Sequence, residues 1–319
     1  MTVPTNTTQS VAMRVREDLS KAVELVTPTD TPMYSMVGRD TCESRTPEWA
    51  TETVRASDAD NAAVEGDDVT PDSQTQPAVV KNHVQTFDEV ISVSDIAQEV
   101  ATISGKKELA RQIVNAGYAI RLDIEKRMCG NYASVAATDS VAGKMAGAQA
   151  WLTSNVSRGA SPGANGGYNS GTGLVAAATN GVQRALTDTI FKTVIRTAWT
   201  NGRGSLTTVL AGPVQKVNIS GFTGVVQATN EVSRDKVAIL GAVDVYKSDF
   251  GFHTIRASRE MDARSVLILT PRTWKLSVLQ PYGVVELAKT GHNTKRMVRT
   301  SVTLKCLDEK QNAVIADLS

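Results

Sequence analysis

Three carboxylates lie within four positions of the stretch NAAVEGDD, which covers residues 61–68. Glu65, Asp67 and Asp68 are close enough in sequence to bind a cation or to pair with basic side chains. Calcium loops place oxygen ligands at their first, third and fifth positions, an alternation that Glu-Gly-Asp-Asp lacks. A solvated acidic surface is therefore the favoured interpretation, and the sequence predicts no metal site and no cofactor.

The same carboxylates belong to a long acidic segment. From Arg45 to Val80 there are eight acidic and two basic residues, which gives a net charge of −6. A stretch with so few large apolar side chains cannot build a core of its own. The segment must either be disordered or lie on another surface. The answer decides whether this is an ordinary soluble protein or a subunit of an assembly.

A stretch of opposite charge lies further along the chain. Residues 251–306 contain ten basic and three acidic residues, a net charge of +7, so the whole chain carries only +1. Opposite patches steer association and fix register. They meet within one subunit, or between subunits in a head-to-tail contact that closes into rings, or they stay solvated; composition leaves these alternatives open.

One glycine-rich motif imitates a nucleotide site. The letters GTGLVA at residues 171–176 match the dinucleotide-binding fingerprint in form, but they follow the glycine-rich stretch 159–173 instead of a strand. A flexible loop or insertion at a domain boundary is the favoured interpretation of 159–173. A soluble enzyme that binds a nucleotide near Gly171 stays open as an alternative.

The other residues that often carry chemistry are few and scattered: His83, His253, His292, Cys42, Cys129 and Cys306. Isolated histidines favour structural or surface roles. Separate cysteines indicate free thiols in a reducing compartment, where they act as small apolar side chains. No catalytic residue is predicted, and the protein is not expected to be an enzyme. No apolar run is long enough to span a membrane.

One helix dominates the predicted elements and covers residues 106–128. Its apolar side chains recur three or four positions apart: Leu109, Ile113, Ala116, Ile120 and Ile124, with Val114 and Leu122 beside them. A second helix is predicted at 187–200, with an apolar stripe of Ile190, Val194, Ile195 and Trp199. A short helix is predicted at 15–26 and is ended by Pro28 and Pro32.

The long helix also predicts specific contacts. Arg121 with Glu125, and Asp123 with Arg127, have the i,i+4 spacing of ion pairs. Gly117 in the middle of the helix costs up to about 1 kcal/mol relative to alanine. A close backbone neighbour is therefore expected at Gly117.

Short strands account for much of the remaining chain. They are predicted at 83–93, 207–210, 242–246, 253–257, 266–269, 296–307 and 313–318. The alternation in 296–307 places every second residue from Val298 to Cys306 on one face and Arg299 and Lys305 on the other. Long helices mixed with scattered antiparallel strands predict an α+β fold.

The order of these features resembles the major capsid proteins of tailed bacteriophages with the Hong Kong 97-type fold, and within them the major head protein family that includes phage SU-ten. The resemblance spans roughly residues 19–319. It is carried by Thr29–Pro32 with Gly38, Pro47–Trp49, Asn61–Asp68, Lys144–Gly147 with Ala150–Leu152, Gly212–Pro213 with Lys216 and Ile219–Gly224, Asp244–Tyr246 with Ser248–Gly251, Glu286–Gly291, and Val314–Asp317.

The resemblance implies a division of the chain. The implied parts are an N-terminal arm (1–44), an extended loop that lies across a neighbouring subunit (45–93), a peripheral domain with its spine helix at 106–128 (94–149), an axial domain (150–280), peripheral strands (281–307), and a C-terminal strand that returns to the axial domain (308–319). No long domain precedes the extended loop here, so a separate scaffolding protein is expected, with a short cleaved arm as the alternative.

The resemblance also implies a function: self-assembly into pentamers and hexamers of an icosahedral virion shell around double-stranded DNA, put together in the bacterial cytoplasm. Portal, scaffolding and decoration proteins are the other expected partners, and maturation of a procapsid is expected. An encapsulin-like compartment shell is the alternative.

The expected contact between subunits has two parts. Glu65, Asp67 and Asp68 would pair with basic residues of the next subunit, with Arg299 and Lys305 as candidates. Trp49 would anchor the base of the extended loop, because large aromatic rings often dominate interface energetics.

Overall fold

A computed structural model describes residues 30–55, 57–62, 65–66, 76–99, 108–202, 206–222 and 245–319. Its helices are α1 Pro32–Met36, α2 Asp95–Glu99, α3 Glu108–Cys129, α4 Ala148–Trp151, α5 Asp188–Gly202 and α6 Pro213–Ser220. Its strands are β1 Gly38–Thr41, β2 Glu48–Thr51, β3 Ala78–Lys81, β4 Gln85–Ser94, β5 Val156–Ser157, β6 Gly167–Asn169, β7 Leu174–Ala176, β8 Thr208–Ala211, β9 Val245–Ser248, β10 Gly251–Ala257, β11 Val266–Leu269, β12 Trp274–Glu286, β13 Asn293–Cys306 and β14 Ala313–Ile315.

A four-stranded sheet with the order β1-β12-β13-β4 forms one half of the molecule. Strands β12, β13 and β4 are antiparallel, and β1 runs parallel to β12. The predicted alternation of β13 is confirmed, because Val298, Val302 and Leu304 are buried on one face. Phe87 and Ile91 of β4 are buried with them, and α3 packs on the same face.

Helix α3 confirms the predicted helix within the described residues, since it covers Glu108–Cys129. Ala116, Ile120 and Ile124 are buried as predicted. Val114 is 56% exposed, so it does not widen the buried stripe. The prediction for Gly117 is wrong within the chain, because a Cβ atom built there would meet no other atom within 4 Å.

Both predicted ion pairs of α3 are wrong. Glu125 is fully buried and accepts hydrogen bonds from the backbone N–H groups of Met33 (2.9 Å) and Tyr34 (2.7 Å). Arg127 donates to two backbone carbonyl oxygens beyond the helix. Pro32 also departs from its predicted role, because it begins α1 instead of ending a helix; proline needs no donor in the first turn. The predicted helix at 15–26 lies outside the described residues.

A six-stranded sheet with the order β5-β14-β11-β8-β10-β9 forms the second half. Leu210 and Leu267 point from its central strands into the core that contains α3. Val209 and Ile268 point into a separate core that contains α5. The predicted buried strand at 266–269 is therefore confirmed, and its unbroken apolar run follows from the burial of both faces.

Helix α5 confirms the second predicted helix but not its whole stripe. Val194 and Ile195 are buried, together with Phe191. Trp199 is 52% exposed and lies against Phe250, with ring centroids 5.2 Å apart. The predicted pair of strands near residues 242–257 is confirmed as the antiparallel strands β9 and β10, although residues 242–244 lie outside the described part.

The glycine-rich stretch is ordered, contrary to prediction. Strands β6 and β7 form a hairpin within 159–176. A Cβ atom on Gly166 would collide with the carbonyl oxygen of Ala176, and one on Gly159 would collide with the carbonyl oxygen of Val182. These glycines allow close backbone packing instead of flexibility. The fingerprint at 171–176 lies in this hairpin and opens no helix, so it cannot cradle a dinucleotide in the expected way.

Candidate assembly interface

Strands β2 and β3 form a two-stranded ribbon separate from the two larger sheets. They pair in antiparallel register, with Trp49 opposite Val80 and Glu48 opposite Lys81. The Lys81 ammonium lies 3.8 Å from the Glu48 carboxylate. The described residues that continue the ribbon are exposed, and Val54 retains 90% of its accessible surface.

The acidic tip is described only in part. Glu65 is exposed in a turn with Gly66, whose φ of +86° suits glycine. Asp67 and Asp68 lie outside the described residues. Glu65 is therefore the one predicted carboxylate of the tip for which the structure reports a position.

Aromatic rings hold the base of the ribbon. Trp49 donates a hydrogen bond of 2.8 Å from Nε1 to the carbonyl oxygen of Cys306, at the end of β13. Its ring centroid lies 5.6 Å from that of Trp151, which stacks on Tyr168 at 5.9 Å and an interplanar angle of 9°. Such ring contacts add about 0.5–1.5 kcal/mol beyond burial. The ribbon is thus tied to β13, α4 and the β6–β7 hairpin.

Asn82, which follows β3, also fixes the base of the ribbon. No pattern in the sequence predicted this role. The fully buried amide donates to the carbonyl oxygen of Leu304 (2.7 Å). Its oxygen accepts from the N–H groups of His83 (2.9 Å) and Ala146 (3.1 Å). One side chain therefore joins the start of β4 to β13 and to the segment before α4. Its role could not be read from the sequence, because two of its three backbone partners are distant along the chain and meet it only in the folded protein.

The hairpin of the glycine-rich stretch also supports the ribbon. Gly173 has a φ of +69°, and a Cβ atom there would collide with the Lys81 side chain. A groove of about 1200 Å³ opens between the ribbon, this hairpin, the end of α5 and residues 306–310. At its floor, Glu309 accepts the N–H of Thr153 at 3.1 Å and that of Ser154 at 3.3 Å.

The two basic candidates on β13 have different surroundings. Lys305 has a side chain 12% exposed and donates to the Asp40 carboxylate at 3.1 Å. That hydrogen bond, with the N–H of Thr41, lowers the pKa of Asp40. Arg299 lies opposite Asp88 in the register of β13 and β4, yet the described residues give it no ion pair, and its Nε is buried without an acceptor. Of the two, Arg299 keeps its charge available.

Four of the groups that often react, Cys129, Cys306, His83 and His253, are buried. Burial raises the pKa of the Cys129 and Cys306 thiols well above the ordinary value. Burial also lowers the pKa values of His83 and His253. Within the described ranges no three His, Cys, Asp or Glu side chains converge to hold a metal ion. The helices given in those ranges also include none long and apolar enough to cross a bilayer.

Comparison with known sequences gives a consistent result. The family model described as SU10 major capsid protein matches residues 2–319. The major capsid protein of Escherichia phage Phieco32 is 33% identical over 105 residues, an alignment that covers 33% of this chain and 30% of that protein.

Solved structures share the fold at low sequence identity. The capsid of a native GTA particle has a TM-score of 0.65 and 8% identity, with 98% of each chain covered. A structure from Gordonia phage Cozz has a TM-score of 0.62 and 9% identity, with 97% of this chain and 93% of the other covered. The SrpI encapsulin of Synechococcus elongatus PCC 7942 has a TM-score of 0.54 and 11% identity, with 93% and 92% covered.

Proposed function

This chain belongs to the SU10 major capsid protein family, and from that premise we propose that many copies form the pentamers and hexamers of an icosahedral head shell around double-stranded DNA. It is a major capsid protein of a tailed-phage head, a structural protein of the virion with the predicted Hong Kong 97-type α+β fold. What remains to be established is how its copies contact one another.

One observation carries the assembly proposal. The ribbon is anchored at its base by Trp49 and Asn82, while Val54 beyond that base is 90% exposed. An arm that is fixed at its base and exposed beyond it presents a preorganised surface to another chain, which lowers the entropy cost of binding. The neighbouring subunit is the partner that the acidic charge of this loop and the basic charge of 251–306 favour.

The two halves of the fold support the implied domains. The four-stranded sheet with α3 corresponds to the peripheral domain, and the six-stranded sheet with α5 and α6 to the axial domain. In this assignment the return to the peripheral domain begins at Trp274, before the expected boundary at 280. Part of the expected arm, β1, and part of the expected loop, β4, are strands of the peripheral sheet. The last strand, β14, belongs to the six-stranded sheet and so to the axial domain in this assignment.

The proposed contact joins the acidic tip to the next subunit. Glu65, Asp67 and Asp68 would face basic side chains there, and Arg299 suits that role better than Lys305 because Asp40 already neutralises Lys305. Trp49 contributes by holding the loop in a fixed direction. Fixing an arm before it binds reduces the entropy cost of association.

Other partners follow from the same function. Portal and scaffolding proteins would direct assembly in the host cytoplasm, and decoration proteins would bind the finished shell, which matures from a procapsid. Packaged DNA would meet the inner face without sequence preference. The net charge of +1 suits that contact, because a strongly cationic wall would grip phosphates in a salt-dependent way.

The direct test is negative-stain electron microscopy with light scattering on the purified protein, alone and co-expressed with its scaffolding protein. Shells, tubes or capsomer rings are expected. Protein that stays monomeric even with the scaffold would contradict the proposal. An encapsulin-like compartment is the second candidate because the SrpI encapsulin shares the fold; shells that enclose a cargo enzyme and exclude DNA would favour it.

A further inference from the structure

Two arginines share one tyrosine ring at the edge of the four-stranded sheet. The guanidinium carbon of Arg39, on β1, lies 4.8 Å from the ring centroid of Tyr34. The guanidinium carbon of Arg121, on α3, lies 5.7 Å from the same centroid and 5.9 Å from the ring of Tyr118. We refer to Arg39, Arg121, Tyr34, Tyr118 and Tyr282 as the arginine–tyrosine cluster.

The positive charge of this cluster has no counterion among the residues that the structure describes. Neither Arg39 nor Arg121 takes part in an ion pair among the described residues. Glu125, one turn along the helix from Arg121, is turned inward to the N–H groups of α1. Two guanidinium groups around one ring repel each other, and an anion between them would remove that repulsion.

The polar atoms of the cluster point to a missing acceptor. The Nε of Arg121 is buried and has no hydrogen-bond partner. A buried donor without an acceptor is destabilising, so most such donors in folded proteins find a partner. Burial, then the neighbouring Tyr34, raises the pKa of Tyr282 to about 12, so that phenol stays neutral and cannot supply the negative charge.

The cluster is open to a second molecule. Arg39 is exposed, and Tyr282 retains 40% of its accessible surface. Along α3, a Cβ atom on Gly117 would meet nothing within 4 Å, and Val114 is 56% exposed. A backbone can therefore approach Arg121 along this side of the helix.

We propose that Arg39 and Arg121 bind a carboxylate from the acidic loop, residues 45–80, of a second copy of this chain. A guanidinium group binds a carboxylate through two parallel N–H donors, and the loop offers a net charge of −6. The inference rests on the proposed assembly, and it names a receptor that the charge pattern alone did not predict. It lies on the helix side of the sheet, whereas Arg299 faces the opposite side beside Asp88.

The first experiment compares assembly of Arg39→Glu with that of a matched reversal on α5, Arg196→Glu, which lies outside both the acidic loop and the basic stretch 251–306. Both arginines are exposed, so both variants are expected to fold, which thermal melting of the unassembled subunit verifies. Arg39→Glu is expected to lose shells in electron microscopy, whereas Arg196→Glu keeps them. Normal shells from folded Arg39→Glu, alongside normal wild-type shells, would overturn the inference and leave the proposed function standing. Failure of the wild type to assemble with its scaffold would instead contradict the proposed function.

The second experiment measures binding directly, using a synthetic peptide of residues 57–72 and unassembled full-length protein. The peptide is expected to bind the wild type and to lose about tenfold or more in affinity with Arg39→Glu or Arg121→Gln, given the strength of hydrogen bonds to charged groups. Arg299→Gln tests the partner assigned to the acidic tip under the proposed function. A loss of peptide affinity confined to that variant would overturn the inference. Binding of a short DNA duplex that depends on Arg39, with no binding of the peptide, would also overturn it in favour of a phosphate site.

Discussion

The indole Nε1 of Trp49 donates to the carbonyl oxygen of Cys306 across 2.8 Å, which ties the first strand of the ribbon to the last residue of β13. Because Cys306 is a buried residue of the four-stranded sheet, the direction of the ribbon is set by that sheet. Variants of Trp49 therefore separate the anchoring of the loop from the folding of the subunit.

Trp49→Ala removes both the hydrogen bond and the contact with the ring of Trp151. We expect the free energy of unfolding to fall by about 3 kcal/mol, as for other large aromatic deletions. Trp49→Phe keeps a ring and loses only the hydrogen bond, so a loss of about 1 kcal/mol is expected. Urea unfolding of the unassembled subunit measures both values, and equal losses would show that the hydrogen bond, not the ring, dominates.

Asn82→Ala should loosen the base of the ribbon. It leaves the buried carbonyl oxygen of Leu304 and the N–H of Ala146 without partners, at about 1–3 kcal/mol for each unsatisfied group. Hydrogen exchange should accelerate at Ala146 and at the start of β4 more than in α5. Uniform acceleration across the chain would instead indicate that Asn82 contributes only to global stability.

Glu125 gives the subunit a defined pH dependence. Burial raises its pKa above the ordinary value of 4.5, although the N–H groups of Met33 and Tyr34 oppose the shift. A raised pKa in the folded state means that its contribution to stability is fully present below the unfolded pKa and is lost as pH rises through the folded pKa.

The comparison with Glu125→Gln tests this dependence. The stability of the wild type relative to the glutamine variant should decline as pH rises from about 4.5 towards neutral, whereas the lowered pKa values of His83 and His253 act equally in both proteins and cancel in the comparison. Asp40, whose pKa is lowered, loses its contribution only as pH falls, so it does not interfere above about pH 4.5. Parallel melting temperatures for both proteins across the window would contradict the prediction.

Two glycine substitutions should have opposite effects on the subunit. Gly173→Ala forces a side chain into a positive φ and against Lys81, with an expected loss of about 1–3 kcal/mol. Gly117→Ala meets open space in the middle of α3 and should stabilise the unassembled subunit by up to about 1 kcal/mol. Thermal melting distinguishes the two, and a destabilising Gly117→Ala would mean that α3 is already constrained at that position.

Charge reversal of the acidic tip tests the interface proposal. Asp67→Lys combined with Asp68→Lys should block assembly while leaving the subunit folded, because the tip would then repel the basic residues of its neighbour. Sedimentation of assembly reactions and circular dichroism of the subunit give the two readouts. Normal shells from this variant would contradict the role assigned to the tip.

Sequence patterns predicted the elements whose burial is regular. Helix α3 and strand β13 were identified because their apolar residues keep one period over many residues, and that period reflects the face they bury. The same patterns failed at Trp199, where helical spacing placed a ring in the stripe but the tertiary structure leaves it 52% exposed against Phe250. Periodicity reports which residues share a face and not how far the core extends along it.

Contacts distant in sequence could not be predicted in the same way. Spacing placed Glu125 beside Arg121, but the N–H groups of α1 compete for that carboxylate from 91 and 92 positions away. The glycine-rich stretch has the composition of a linker, and only the carbonyl groups packed against Gly159 and Gly166 explain it. The receptor at Arg39 was missed for the same reason, since α1, β1 and α3 meet only in the folded chain.

The six-stranded sheet determines how force would pass through the subunit. Alternate residues of β8 and β11 belong to two different cores. One core contains α3 and the other contains α5, so both helices share these strands. A load applied to either half would therefore pass to the other through the backbone hydrogen bonds of that sheet. In the proposed shell, a load between neighbouring subunits would instead reach the ribbon through its aromatic base, which is not part of that shared sheet.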